Sequence, residues 1–203
     1  MQVVVDGSPL SIEDVIAVAY GRASVVAGSD LDARMEPARA LVEGVVERGD
    51  TVYGITTGFG ALSNTAIPPS RAVDLQYDLL RSHASGVGPL LEPEVVRAML
   101  VCRARTLAQG NSGVRPTVVR ALIALLEHDV LPAVPSQGSV GASGDLAPFA
   151  HLALPLIGEG EVLAPGGSES AAAALVRAGL RPITLLPKEG LRLLYGSEGM
   201  LAH

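Results

Sequence analysis

The sequence predicts a mainly α-helical fold with a few short β segments, and three observations favour that class. Apolar residues recur three and four positions apart through several long segments, as they do along the buried face of a helix. Proline, serine and glycine stand at the boundaries of those segments, where helices begin and end. Hydrophobic residues make up 48% of the chain while Trp is absent, so the core is expected to be aliphatic.

The N-terminal segment predicts one strand and two helices. Residues 3–5 form a short apolar run that ends in an Asp-Gly turn, which is typical of a strand. Ser11 and Asp14 form the pattern of a capping box, so we expect a helix to begin there and to run through Tyr20. A second helix is expected over residues 31–48, because the apolar residues follow helical spacing and a glycine then stops them.

The remainder of the chain predicts a loop, a hairpin and further helices. A brief extended piece, residues 51–53, leads into a glycine-rich loop, residues 54–64, and residues 161–167 have the pattern of a hairpin. Helix boundaries are marked by prolines in the first turn and by glycines after the last. The expected helices cover residues 71–84, 93–108 and 116–128, a segment that begins at or beside Asp145, residues 169–178, and a last segment from Pro187.

The composition argues against several classes of partner. With a formal charge of −6 and no basic cluster, the chain lacks the contacts on which nucleic-acid binding depends. The longest apolar run, residues 146–157, is too short and too interrupted to span a bilayer, and the N-terminus does not resemble a signal peptide. Cys102 is the single cysteine and is expected in the core, which fits a cytoplasmic protein without disulfides. We expect one domain over residues 1–203.

The glycine-rich stretch over residues 138–145, GSVGASGD, is the strongest candidate for chemistry. A phosphate-binding loop would end in a Lys-Ser or Lys-Thr pair, but Asp145 and Leu146 stand there and would put an anion where the phosphate belongs. An esterase elbow requires a glycine two residues after its serine, and Asp145 occupies that position after Ser143. Neither of these two chemistries fits the residues present.

Two alternatives remain for the triplet Ala142, Ser143 and Gly144. In the first, the backbone reacts with itself: the amide nitrogen of Gly144 approaches the carbonyl carbon of Ala142, because glycine has no Cβ and tolerates unusual torsions. Ring closure with loss of water and of the Ser143 hydroxyl would leave an exocyclic methylidene, an electrophile that no common side chain provides. In the second, the triplet is a glycine-rich turn that only caps the following helix.

Four motifs, in order, resemble those of the aromatic amino-acid ammonia-lyases and aminomutases, and of the histidine ammonia-lyases in particular. The resemblance extends from about residue 1 to about residue 190. Because several independent motifs occur in the right order, the chain is identified as a member of this family. The motifs are residues 53–60 (YGITTGFG), 82–88 (SHASGVG), 108–113 (AQGNSG) and 138–154 (GSVGASGDLAPFAHLAL).

The resemblance implies a fold, a cofactor and a reaction. The fold would be the N-terminal, mainly α domain of the ammonia-lyases with short β pieces, without the C-terminal helical bundle. Ala142, Ser143 and Gly144 would cyclise to 4-methylidene-imidazol-5-one (MIO), the family's cofactor, and no metal is implied. The reaction would be the non-oxidative deamination of an aromatic amino acid, with histidine, which gives urocanate and ammonia, as the first choice and tyrosine or phenylalanine as alternatives.

The resemblance also assigns roles to three residues outside the triplet. Tyr53 would be the base that removes the β-proton, whereas its position alone is typical of a packing residue at the end of a strand. A free phenol titrates at about pH 10, so a tyrosine base needs surroundings that favour its phenolate. His83 would contact the substrate side chain, whereas a cation at a helix C-terminus is also stabilised by the helix dipole. Gly60 would let the loop approach the substrate closely.

The sequence departs from the family in two ways. The family motif Glu-x-Leu-x-Leu-x-Asn-Gly-Thr has an asparagine that helps to build and position the ring, and Tyr195 stands in that position. A phenol cannot reproduce the paired donor and acceptor of a carboxamide. The chain is also much shorter than the family's enzymes. We expect a homo-oligomer, or a hetero-oligomer with a separately encoded C-terminal half; the alternatives are a truncated lyase, an aminomutase half, and a catalytically silent partner subunit.

Overall fold

The computed structural model describes residues 1–60, 65, 67–141 and 144–203. The described chain is mainly α-helical, as predicted, and two short 3-10 turns (Pro69–Arg71 and Leu154–Ile157) adjoin the helices. In chain order the helices are α1 (Ile12–Ala19), α2 (Leu31–Arg48), α3 (Ala72–His83), α4 (Pro93–Ala108), α5 (Pro116–Glu127), α6 (Leu146–Ala153), α7 (Ala171–Arg177), α8 (Glu189–Leu194) and α9 (Glu198–Leu201).

Short strands pair two by two and connect the helices. The first pair is parallel, with α1 as its crossover, and the other two pairs are antiparallel. The last pair forms the hairpin that the sequence predicts over residues 161–167. The strands are β1 (Gln2–Val5) with β2 (Ser24–Ala27), β3 (Val87–Leu90) with β4 (Pro135–Gln137), and β5 (Glu161–Ala164) with β6 (Gly167–Ser170).

Helix α4 lies at the centre of the core. It is buried around most of its circumference, as expected of a helix whose apolar residues are not confined to one stripe. Met99, Leu100 and Val101 are fully buried, and α4 packs against both α1 and α5. Because α9 also packs on α4, this helix joins the N-terminal βαβ unit to the end of the chain.

Local sequence signals explain the helix boundaries that were predicted correctly. At α1 the Asp14 amide donates to the Ser11 hydroxyl at 3.0 Å, and the Ser11 amide donates back to the Asp14 carboxylate at 3.1 Å. Helix α2 has the predicted bounds, because Gly49 takes a left-handed conformation with φ of 68° and ends it. Helix α4 likewise has the predicted bounds, with Pro93 in its first turn.

Other predicted boundaries are wrong. Strand β2 was not predicted, and residues 51–53 form no strand in the described structure. Residues 169 and 170 belong to β6, so α7 begins only at Ala171. The helix predicted from Pro187 begins only at Glu189, because Lys188 has a φ of 77° that no helix accommodates. A separate helix, α9, follows it.

In the part of the chain that the structure describes, we find no helix with both the length and the apolar character needed to cross a membrane.

Candidate functional site

Gly144 is the one residue of the predicted ring-forming triplet that the structure describes; Ala142 and Ser143 lie outside the described residues. Gly144 is buried and has a φ of 77°, a left-handed conformation that favours glycine. The Val140 amide donates to the Gly144 carbonyl at 2.9 Å, which holds these two residues side by side. A buried, turned glycine is what ring closure through its amide nitrogen requires, so this residue fits the MIO group.

Asp145 follows Gly144 and accepts two hydrogen bonds, one from within the motif and one from α9. The Ser139 hydroxyl donates to one carboxylate oxygen at 2.7 Å, and the Met200 amide donates to the other at 3.1 Å. Helix α6 begins at the next residue, so the positive end of its dipole lies beside Gly144. Sequence reasoning missed Ser139 and Met200, because neither contact has a local sequence signal.

The Tyr53 loop is fixed by its threonines and glycines. The Thr56 hydroxyl is buried and donates to the Asp50 carbonyl, and the Val52 amide donates to the Thr56 hydroxyl at 2.8 Å. Gly54 has a φ of 73°, and a Cβ there would lie 2.6 Å from the Leu191 side chain. The loop therefore packs directly on α8.

Tyr53 is 54% exposed and meets the Phe59 ring edge to face at 6.3 Å. Gly60 has a φ of 53°, and among the described residues no atom lies within 4 Å of a Cβ placed on it. The loop thus presents the phenol of Tyr53 at the surface.

Tyr195, the residue that departs from the family motif, lies beside Tyr53. It follows the last residue of α8 and is 40% exposed. The neighbouring Tyr53 phenol, together with partial burial, raises the pKa of Tyr195. The substituted position and the predicted base therefore belong to the same contact, which the sequence did not reveal.

His83 is the last residue of α3, as predicted, and its ring is anchored to its own helix. The Nδ1 atom lies 2.9 Å from the Leu79 carbonyl and 3.1 Å from the Ser82 hydroxyl. No hydrogen bond to Nε2 is present within the described residues, so this nitrogen is the one that a ligand would meet. Over the same residues, no hydrogen bond joins His83 to Tyr53 or to Gly144.

The second and fourth sequence motifs pack against each other. Strand β3 pairs with β4, and the Gly86 amide donates to Nε2 of His151 at 3.1 Å. A Cβ on Gly138 would lie 3.2 Å from the Gly86 Cα, so both glycines permit this close approach. His151 thus joins the two motifs, and burial lowers its pKa.

The third motif, residues 108–113, supports the fold rather than the site. A Cβ on Gly110 would lie 2.3 Å from the Arg34 carbonyl oxygen, and one on Gly113 would lie 2.5 Å from the Val42 side chain. Both glycines let this loop pack directly on α2, and both have a positive φ.

A buried ion pair holds the chain segment that covers Gly144. Arg103 of α4 donates to the Glu198 carboxylate at 2.9 Å, and its guanidinium lies 4.2 Å above the Phe149 ring. Glu198 begins α9, and α9 brings the Met200 side chain to Gly144, where a Cβ would meet its methyl at 3.6 Å. Arg103 follows the apolar run of α4 directly, and an arginine in that place is the sequence signal that could have pointed to this contact.

Across the described ranges, no three His, Cys, Asp or Glu side chains lie close enough together to hold a metal ion.

Comparison with known proteins gives concordant matches. A family model described as aromatic amino acid lyase matches residues 10–203. The histidine ammonia-lyases of Gloeobacter violaceus and Geobacillus thermodenitrificans are 52% and 47% identical over 199 and 200 residues. These matches cover 98% of this chain in both cases, but only 39% and 40% of the relatives.

Solved structures agree with the sequence matches. The tyrosine aminomutase of Streptomyces globisporus superposes with a TM-score of 0.93 at 40% identity, covering 100% of this chain and 38% of that chain. The histidine ammonia-lyase of Trypanosoma cruzi superposes with a TM-score of 0.88 at 37% identity, covering 100% of this chain and 39% of that chain. This chain thus spans about two fifths of the length of its relatives and corresponds to their N-terminal part.

Proposed function

The chain belongs to the aromatic amino acid lyase family, and from that premise we propose that it is the N-terminal part of a histidine ammonia-lyase. The reaction is the non-oxidative deamination of histidine to urocanate and ammonia. Residues 1–203 form one domain of that enzyme. The observation that carries the proposal is the conformation of Gly144. This residue is buried, has a left-handed φ and lies just before the start of α6, as the proposed ring formation requires.

The cofactor we propose is MIO, formed from Ala142, Ser143 and Gly144. Once formed, it supplies an electrophile for the amine of the substrate. Asp145 holds the end of the triplet against Ser139 and Met200, and the N-terminus of α6 contributes its positive dipole end beside Gly144. These groups would fix the geometry of the triplet before the substrate arrives.

Tyr53 is the proposed base, which takes a proton from the β-carbon of the substrate. Its phenol is exposed at the loop surface, and the neighbouring Tyr195 hydroxyl can donate to the Tyr53 oxygen when that oxygen carries negative charge. His83, anchored to α3 through Nδ1, offers Nε2 to the imidazole of the substrate. Gly60, which has no Cβ, would let the substrate approach the loop closely.

The activity depends on a partner polypeptide in this proposal. Relatives are much longer, since this chain covers 39% of the Gloeobacter violaceus enzyme. We infer that a C-terminal part, covalently continuous or separately encoded, completes this one in a homo- or hetero-oligomer. A cytoplasmic location stays a prediction that rests on the single cysteine.

Two other functions have a specific observation in their favour. Tyr195 in place of asparagine favours a catalytically silent partner subunit, because the phenol lacks the carboxamide's donor and acceptor pair. The match to tyrosine aminomutase, with a TM-score of 0.93, favours an aminomutase part acting on tyrosine.

The test begins with the intact mass of the purified chain. A deficit of two water molecules that maps to the peptide containing Ser143, and that is absent in Ser143→Ala, is the expected result. The chain is then combined with the C-terminal part of the Gloeobacter violaceus histidine ammonia-lyase and supplied with histidine and, separately, with tyrosine. Urocanate formation is expected; a β-amino acid from tyrosine would instead identify an aminomutase. An unmodified mass in the presence of that C-terminal part would identify the silent subunit.

A further inference from the structure

The second and fourth sequence motifs meet at one point of the fold, which we call the glycine junction and define by Gly86, Gly138, Ala147 and His151. A Cβ on Gly138 would lie 3.2 Å from the Ala147 Cβ and 3.2 Å from the Gly86 Cα, and a Cβ on Gly86 would lie 3.2 Å from Nε2 of His151. The Gly86 amide donates to that Nε2 at 3.1 Å. The junction therefore ties three separate segments of the chain together.

The glycine junction borders the proposed ring triplet on both sides. Gly138 precedes the triplet and Ala147 follows it, so their contact fixes the segment that enters the triplet to the segment that leaves it. Ala147 and His151 are four residues apart on α6 and therefore face the same way. The helix that begins directly after the triplet thus presents His151 to the Gly86 amide.

Gly86 is in turn tied to His83 by the turn that follows α3. The Ser85 amide donates to the His83 carbonyl at 2.8 Å, and the Ala84 amide donates to the Leu80 carbonyl at 3.1 Å. The ring of His83 is itself bonded to α3 through Nδ1. Because each step between the two residues is bonded, a displacement of Gly86 is passed on to His83.

We propose that His151 is a positioning residue for the reaction, which sets the distance between the ring triplet and His83 by holding the Gly86 amide. The inference rests on the proposed function, because the roles of the triplet and of His83 come from it. His151 acts through Gly86 and has no chemical step of its own. Misplacement of reacting groups by about 1 Å can cost about a hundredfold in rate, so a contact that fixes this distance affects the rate.

The glycines make this single hydrogen bond important. Neither Gly86 nor Gly138 has a side chain that locks the contact by packing, so the bond to the imidazole is the directional contact that fixes the spacing. Because Nε2 accepts from an amide, the proton of the neutral His151 ring is on Nδ1. Without this acceptor, the Gly86 amide would have to move to find another.

The first measurement follows the Gly86 amide and the His83 ring by NMR in the chain alone. His151→Leu removes the acceptor, whereas His151→Gln keeps one, since the glutamine Oε1 reaches about as far as Nε2. We expect exchange of the Gly86 amide to accelerate by about tenfold or more in His151→Leu, and the ring signals of His83 to shift, with both effects reversed in His151→Gln. His151→Asn, whose carbonyl is too short to reach the amide, repeats the test without adding an apolar group. Unchanged His83 signals in the leucine and asparagine variants would overturn the proposal.

The second measurement is the turnover of histidine by the chain combined with the C-terminal part of the Gloeobacter violaceus enzyme. Rates are expressed per chain that has lost two water molecules, so that ring formation and turnover are counted separately. We expect His151→Leu to lower kcat by about tenfold or more with a smaller change in KM, and His151→Gln to keep kcat within about threefold. His128→Gln, at the exposed end of α5, is the control and is expected to leave both constants unchanged.

A double-variant cycle separates positioning from a general loss of stability. If His151 acts through His83, the loss of kcat caused by His151→Leu is expected to shrink to about twofold or less when His83 is already leucine, because the effects of residues that act through one another are not additive. Equal losses with and without the His83→Leu substitution would show that His151 acts by another route and would refute the proposal.

The outcomes separate this proposal from the proposed function. His83 signals that shift in His151→Leu and return in His151→Gln, with no urocanate from any of the proteins, support the link from His151 to His83 and count against the lyase assignment. Urocanate formation at the wild-type rate by His151→Leu supports the lyase assignment and overturns the positioning role.

Discussion

At the scale of single residues, Tyr195 is the position on which the chemistry of this chain depends most. It stands where the family has an asparagine, and the Tyr53 phenol beside it raises its pKa. We predict that Tyr195→Asn increases severalfold the fraction of chains that have lost two water molecules at the Ser143 peptide. The carboxamide restores a donor and an acceptor together, which the phenol lacks.

The control for that substitution is Tyr195→Phe, which removes the hydroxyl without supplying an amide. The wild type and the two variants are expressed identically, and intact-mass spectrometry measures the fraction of each that has lost two water molecules. If the phenylalanine variant gains as much ring as the asparagine variant, the hydroxyl of Tyr195 is what hinders ring formation, and the carboxamide argument is wrong.

His151 predicts a pH dependence of stability. Its Nε2 accepts from the Gly86 amide, and burial lowers its pKa from 6.5. The unfolded chain therefore binds this proton more readily than the folded one, so the free energy of unfolding falls as the pH drops below about 6.5 and is unaffected above it. His151→Gln keeps an acceptor but does not titrate. We therefore expect the variant to lose the part of the pH dependence of stability that His151 contributes.

Urea unfolding at several pH values between about 5 and 8 measures the effect. The comparison of interest is the slope of stability against pH, since other carboxylates contribute to both proteins. Parallel slopes for the wild type and His151→Gln would show that the folded chain protonates His151 without cost. His128→Gln, at the exposed end of α5, is the matched control.

At the scale of secondary-structure elements, Glu189 ties the start of α8 to the start of α5. Its buried carboxylate accepts from the backbone amides of Arg115 and Leu186, at 3.0 and 2.8 Å, and from the Arg115 guanidinium at 2.8 Å. Every neighbour is a donor. We predict that Glu189→Gln costs about 2–4 kcal/mol, because its amide NH₂ must face one of those donors.

Chemical denaturation measures that cost, with Glu169→Gln as the control. Glu169 pairs with Arg177 on the surface, where an ion pair contributes about 0–1 kcal/mol. A cost for Glu189→Gln no larger than for Glu169→Gln would mean that water reaches the carboxylate and replaces the lost contacts.

The elements that sequence predicts well are those with local signals. Helices α2 and α4 have the expected bounds, because a proline or a left-handed glycine marks their ends. Strand β2 was missed, since four residues that pair with only one neighbour carry little pattern of their own. Strand β4 begins with a proline, a residue that normally argues against a strand.

The residues of the candidate site also fall into two groups, those that a sequence motif predicts and those that no sequence signal reveals. Motif resemblance predicts Tyr53, His83 and Gly144, and the described structure places them on a loop, a helix end and a turn. The contact between Tyr53 and Tyr195 and the bonds from Ser139 and Met200 to Asp145 could not be predicted. They join residues distant in sequence or in different elements, and such contacts depend on the tertiary fold.

At the scale of the whole molecule, the Arg103–Glu198 pair joins the central helix to the end of the described chain. Both side chains are almost fully buried, and Gly196 is needed beside them, since a Cβ there would lie 1.6 Å from the guanidinium. A buried cation that loses its partner is costly, because it has neither water nor a counter-charge. The pair therefore determines whether α9 stays on α4.

We predict that Glu198→Ala lowers the free energy of unfolding by about 3–5 kcal/mol and frees α9, because Arg103 is left without its carboxylate. Hydrogen exchange of the Met200 amide, bonded to Asp145, is expected to accelerate more than that of α5 amides. Asp32→Asn, which breaks the exposed pair with Arg120, is the control and should cost about 1 kcal/mol or less. If Met200 stays protected in Glu198→Ala, the bond to Asp145 alone holds α9, and the cover over Gly144 does not depend on the central helix.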